Sequence, residues 1–228
     1  MVKKELEFFH IGDSLGGNQD WCLDHMMQLG GCAAVTACDC SIYFALRRGH
    51  RALYPGDPER IDRDRYLYFT EEMKHYLHPR WSGIDKLSLF AKGYQKYLED
   101  RGEHGIGIGA LEGSSDPEEA KKAVLRQIDA SLPVPCLILN HKDPTLEDYV
   151  WHWFLLIGCR YQGEDPLSEE ADFSVLTLTY SEAKWVKLDA LWETGYSPRG
   201  GLILFQENKE KEDILASTAA VSGAETIS

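Results

Sequence analysis

A chain of 228 residues that is 43% hydrophobic is long enough for one domain with a real core. Aspartate and glutamate number 37 against 24 lysines and arginines, a net charge of -13. That balance excludes a nucleic-acid surface, which needs clustered Lys and Arg, and no basic run here exceeds two residues. The opening residues Met1 to Glu7 carry charge with no apolar segment after them, so no signal peptide is read there. No apolar run reaches the length of a membrane span. A cytoplasmic protein without membrane contact is expected, and its six cysteines are then reduced thiols rather than a disulfide framework.

In chain order, residues 5–11 read as a short strand. Gly12 to Gly31 is rich in Gly, Asn and Asp and reads as an ordered loop anchored by Trp21. Residues 32–48 predict a helix filled by Ala33, Ala34, Ala37, Ile42 and Ala45 and stopped by Gly49. After a polar stretch from Pro55 to Asp64 come helices over roughly 65–77 and 85–101. The second carries Leu87, Phe90, Tyr94, Tyr97 and Leu98 on one stripe. Residues 105–112 alternate like a strand; their glycines fall at every second position, which is not a phosphate loop. Asp116-Pro117-Glu118-Glu119 opens a helix to about Ser131. Strands follow at 134–140, 150–160, 173–180, 184–188 and 201–206, with a polar hairpin loop from Gln162 to Ala171. Helices in the first half and antiparallel strands in the second predict an α+β fold. The expected organisation is one domain over 1–206 and a disordered tail over 207–228.

Chemistry is expected at Cys32, in the first turn of the predicted helix and preceded by Gly30-Gly31. There the helix dipole and unpaired backbone N–H groups favour a thiolate and can receive an oxyanion. The small glycines would let a substrate backbone approach. Cys38 and Cys40 sit mid-helix and read as filler. As a metal pair they are poor, because positions two apart diverge on a helix. The proton acceptor is read as His152, which opens an apolar strand between Trp151 and Trp153, with His141 next. The other six histidines read as solvated. A second oxyanion donor is read at Gln19, with Gln28 after it. A hairpin about residue 166 would set position 180 opposite His152, bringing Thr179, Tyr180 and Ser181 within reach of its second ring nitrogen.

Gly31-Cys32-Ala33-Ala34, His152-Trp153-Phe154-Leu155-Leu156-Ile157-Gly158 and the upstream Gln19 together resemble the papain-like cysteine peptidase superfamily. The likeness is nearest to its branch of bacteriocin-leader-processing peptidases and spans about Gly16 to Phe205. It implies a nucleophile helix packed against an antiparallel sheet, with Cys32 as nucleophile, His152 as base and Gln19 in the oxyanion hole. Thr179-Tyr180-Ser181 falls where papain-like chains carry Asn-Ser-Trp-Gly, so Thr179 is assigned to orient the base. Ala33 replaces the usual glycine, and the stretch from Gln19 to Cys32 is longer than usual. The implied activity is hydrolysis of a peptide or small amide through a thiolate–imidazolium pair and an acyl-enzyme, with no metal or organic cofactor. The rival readings are a catalytically silent peptide-binding module and a thiol acyltransferase.

Overall fold

The computed structural model describes residues 1–81, 83–168 and 171–208. In chain order the strands and helices are β1 (Val2–Glu5), the small hairpin β2 (His10–Ile11) and β3 (Ser14–Leu15), α1 (His25–Gly30), α2 (Cys32–Arg47), α3 (Arg63–Met73), α4 (Leu87–Asp100), β4 (Ile106–Glu112), α5 (Pro117–Asp129), β5 (Val134–Ile138), β6 (His152–Tyr161), β7 (Ser174–Thr179), β8 (Glu182–Lys187), α6 (Leu188–Trp192) and β9 (Gly200–Glu207). Three short 3-10 turns intervene at Gln19–Trp21, Arg51–Leu53 and Pro144–Tyr149. The strands β4-β9-β5-β6-β7-β8 form an antiparallel sheet, and β1 joins it on β6. The fold is α+β, as the sequence predicts.

Helix α2 is central. Every residue from Cys32 to Ala45 is buried, so the Ala, Cys and Ser positions keep its girth small among large neighbours. Ser41 turns its hydroxyl back to the Ala37 carbonyl at 2.9 Å and also meets the Tyr94 hydroxyl at 2.9 Å. Between α4 and the sheet the core is aromatic. Trp153 stacks on Phe90 with centroids 4.5 Å apart, and its indole N–H donates to the Ile84 carbonyl at 2.6 Å. Phe205 of β9 meets Phe44 of α2 edge-on at 5.1 Å. No described helix is long and apolar enough to cross a membrane.

Several expectations are corrected. The strand expected at 5–11 divides: β1 ends at Glu5 and β2 begins at His10. The expected loop before Cys32 contains α1, whose N-cap Asp24 accepts from the backbone of Met26 at 2.7 Å. The strand expected to reach residue 188 stops at Lys187, where α6 begins. His50 is not solvated: its ring lies 2.8 Å from Glu103 and 3.1 Å from Glu207, and Arg48 pairs with Glu207 as well. Glu207 therefore belongs to the domain as the last residue of β9, and the Asn208 N–H donates to the Gly105 carbonyl at 2.7 Å. The rest of the expected tail, 209–228, lies outside the described residues.

Candidate active site

Cys32 is the first residue of α2, with Gly31 as the N-cap. The glycines before it are needed by the chain itself. A Cβ on Gly30 would stand 2.5 Å from the Arg80 carbonyl oxygen, and one on Gly31 would stand 2.4 Å from that of Met27. Their absent side chains thus let α1, α2 and the Arg80 segment close together. They do not open room for a substrate backbone, which corrects that expectation. The Cys32 side chain is 5% exposed. Burial pushes its thiol above the ordinary range, while hydrogen bonds from the backbone N–H groups of Trp153, Ala33 and Cys32 act in the opposite sense. Trp153, opposite Leu137 in the β5–β6 ladder, lines the same small cavity as Cys32, so the start of β6 lies against the start of α2.

His152 is the first residue of β6 and is 6% exposed. Its Nε2 lies 2.6 Å from the Thr179 hydroxyl. Its Nδ1 has no hydrogen-bond partner among the described residues. With the proton on Nε2 given to Thr179, Nδ1 carries the lone pair a general base needs. The expected register is off by one: Leu155 faces Leu178, so His152 aligns with Ser181 rather than Tyr180, and a bulge between Leu156 and Gly158 shifts the rest of the hairpin. Tyr180 nonetheless stacks on the imidazole, 4.9 Å between centroids and 3° from parallel.

The two tryptophans that flank His152 point to different places. Trp153 is buried in the core, whereas Trp151 is half exposed at the cleft rim. The ring that covers His152 belongs to Tyr180. Three of the four described non-glycine residues with positive φ stand at this wall: Trp151 at 53°, Tyr180 at 49° and Ser181 at 62°. The last two form the tight connection between β7 and β8. Positive φ at both central residues is what a two-residue hairpin turn requires, and it places the Tyr180 ring beside His152.

Burial depresses the pKa of His152 to about 4, with the nearby Asp148 charge acting weakly the other way. Burial pushes the thiol up and the imidazole down, so it favours the neutral form of each rather than the expected thiolate–imidazolium pair.

Gln19 is 5% exposed and lines the same cleft as Cys32 and His152. The fold of α1 explains how a glutamine so far upstream reaches the thiol: the extra residues coil into that helix and return the chain to α2. The Gln19 amide donates to the Gln28 carbonyl at 2.6 Å, leaving its second N–H, and its buried Oε1 has no partner. Gln28 spends its own amide on the Cys22 carbonyl at 2.8 Å. His141 is held through both ring nitrogens, by the Ala190 carbonyl and the Asp143 N–H, each at 2.9 Å. The remaining five cysteines are buried, and burial raises the pKa of each.

Two spaces meet at the dyad. An open cleft of about 610 Å³ is lined by Gln19, Cys32, His152, Trp151, Asp20 and Asp148. Behind the sulfur lies a cavity of about 20 Å³, bounded by Cys32, Thr36, Asp39, His152 and Thr179. Asp39, between Cys38 and Cys40, is a functional candidate that the sequence reading missed. Its place one helical stripe below Cys32, at positions 32, 35, 36 and 39, is the signal that points it toward the site. Among the described residues no group of three or more His, Cys, Asp or Glu side chains is arranged to hold a metal ion.

Thr179→Val is expected to remove the acceptor that fixes the imidazole tautomer, so that the proton is shared between the two ring nitrogens of His152. Nitrogen NMR of the ring checks it: an unchanged tautomer would show that Thr179 does not orient His152. Comparison with known proteins finds no matching family model, no matching curated protein and no matching solved structure.

Proposed function

We propose that this chain is a papain-like cysteine hydrolase of peptide or small amide bonds. The observation that carries the reading is one shared cleft. A thiol at the N-terminus of a buried helix faces it together with a histidine whose Nε2 is already engaged by Thr179.

Nδ1 of His152 takes the thiol proton as the sulfur attacks the substrate carbonyl carbon. The carbonyl oxygen becomes an oxyanion, received by the Cys32 backbone N–H and the free N–H of the Gln19 amide. When the C–N bond breaks, the imidazolium gives its proton to the departing amine. An acyl thioester remains on Cys32. Water then attacks it, His152 taking the proton, and the C–S bond breaks to release the acid and restore the thiol. The cleft mouth carries Asp20, Glu147 and Asp148 and no lysine or arginine among its lining residues, so neutral or cationic substrates fit better than acidic ones.

Native protein treated with iodoacetamide at about pH 8 is expected to take one label, at Cys32, the cysteine that lines the cleft, where neutral His152 can take the proton as the sulfur attacks. His152→Gln is expected to slow that labelling, and a library of lysine- and arginine-containing peptide amides is expected to be cleaved. A single fast label without cleavage of any peptide would favour a silent binding module. A new amide formed from an added amine would mark an acyltransferase. Equal labelling of several thiols, unaffected by His152→Gln, would overturn the reading.

A further inference from the structure

We infer that Asp39 is a positioning residue for this site: gripped by Tyr66, its carboxyl group holds the backbone of Gly17 and so sets where the Gln19 amide stands beside Cys32. The inference deepens the hydrolase reading, and only its turnover measurement rests on that reading.

Asp39 lies in α2, 4% exposed, where an acid needs a reason to be. Both its oxygens accept from the Gly17 N–H, at 3.2 and 3.1 Å. The Tyr66 hydroxyl of α3 donates to it at 2.8 Å. The fit is tight: a Cβ on Gly17 would lie 1.8 Å from the Tyr66 hydroxyl oxygen, so only glycine lets the loop reach both groups. Gly17 is two residues before Gln19. The same loop is tied to the wall over His152, since the Asn18 side-chain amide donates to the Tyr180 carbonyl at 3.1 Å and the Ser181 hydroxyl to the Gly17 carbonyl at 3.3 Å. One buried carboxyl group therefore anchors the loop that carries the oxyanion donor and that braces the ring covering the base. A polar group buried at such cost, with both oxygens turned to one loop and a tyrosine holding it there, fits a role in preorganisation better than one in stability.

The groups that face Asp39 are few. Tyr66 comes from α3 and Gly17 from the loop. Cys38 and Cys40 are its neighbours on α2, and burial keeps both protonated. Across the small cavity stand Cys32, His152 and Tyr180. No lysine or arginine among the described residues pairs with it. Burial lifts its pKa to about 7 against the pull of Gly17 and Tyr66. The ionised form accepts those two bonds more strongly, so the grip on Gly17 tightens as pH rises through about 7. His152 titrates far below that pH and the Cys32 thiol above it.

The test compares the full-length wild type with Asp39→Asn and Tyr66→Phe. Amide exchange of the segment around Gly17 to Gln19 is followed from about pH 5.5 to 8.5, corrected for intrinsic exchange, and kcat and KM are measured on a cleaved peptide amide. In the wild type, protection of this segment is expected to rise through about pH 7. In Asp39→Asn that step vanishes, exchange at pH 8 is about tenfold faster, and kcat falls roughly 10- to 30-fold with KM within about twofold, part of what losing an oxyanion donor costs. Its melting temperature at pH 8 is expected to equal or exceed that of the wild type, which a merely structural residue would not give. Tyr66→Phe removes a donor that favours the carboxylate and is expected to move the step to higher pH; it decides the matter should the Asn variant fail to fold. A step that persists in Asp39→Asn, or protection and kcat unchanged in it, would overturn the proposal. If no peptide amide is cleaved by the wild type, the hydrolase reading fails on its own and the exchange measurement still decides the role of Asp39.

Discussion

Cys32→Ala is expected to abolish turnover, by about 10⁴-fold or more, while the protein remains folded. On the proposed reading, the substitution removes the atom that forms the acyl intermediate, and what remains is whatever rate binding and the oxyanion donors supply. The structural cost is small: one sulfur leaves a site bordered by an existing cavity, which points to about 1 kcal/mol. Iodoacetamide labelling of the native protein should disappear with it, because the other five cysteines are buried away from the cleft. Circular dichroism and a denaturation curve check the fold; mass spectrometry and peptide hydrolysis check the chemistry. Hydrolysis that survives in Cys32→Ala would move the reaction elsewhere on the molecule.

His152→Gln is expected to lower turnover about 10³-fold or more and, separately, to change how stability depends on pH. The imidazole has a folded pKa of about 4, below its ordinary 6.5. Its contribution is therefore fully present above about pH 6.5 and is lost as pH falls toward 4, because the unfolded chain takes up the proton first. The window spans roughly 3 kcal/mol. Asp39 works in the opposite direction. Its folded pKa of about 7 lies above the ordinary 3.8, so the stability it allows at low pH is lost as pH rises toward 7, on the order of 4 kcal/mol. In the wild type the two nearly offset, and stability between about pH 4.5 and 7 should be close to flat on their account. Each variant uncovers the other group. His152→Gln should be more stable near pH 4.5 than near pH 7.5, and Asp39→Asn should be less stable near pH 4.5 than near pH 7.5. Urea titrations at both values measure it. Parallel pH curves for all three proteins would show that neither group is held as burial dictates.

Much of the arrangement is legible in the sequence. The α2 boundaries follow from alanine content and the stop at Gly49, and the β6–β7 hairpin follows from two apolar runs around a polar loop. Thr179 was reachable because a hairpin converts sequence distance into a cross-strand neighbour, even with the register off by one. The bulge between Leu156 and Gly158, which changes the register within β6, leaves no pattern in an apolar run. Strand β1 was missed because an edge of Val-Lys-Lys-Glu alternates too weakly to announce itself, and its partner lies far along the chain. The partners of His50 and the place of Asp39 depend on contacts between elements distant in sequence. A short polar tripeptide, Cys38-Asp39-Cys40, says nothing of which residue its central acid will hold.

The connection between β7 and β8 has only two residues, both in the left-handed region and neither a glycine. A loop that short has no spare length to uncoil, and its carbonyl and hydroxyl are already committed to the Gly17–Asn18 segment. The backbone that carries the phenol ring is thus held from two sides. On the proposed reading, an incoming amide would meet a wall whose main chain is already in place, so little ordering entropy would be lost there on binding, and selection among substrates would rest on which shapes fit the cleft.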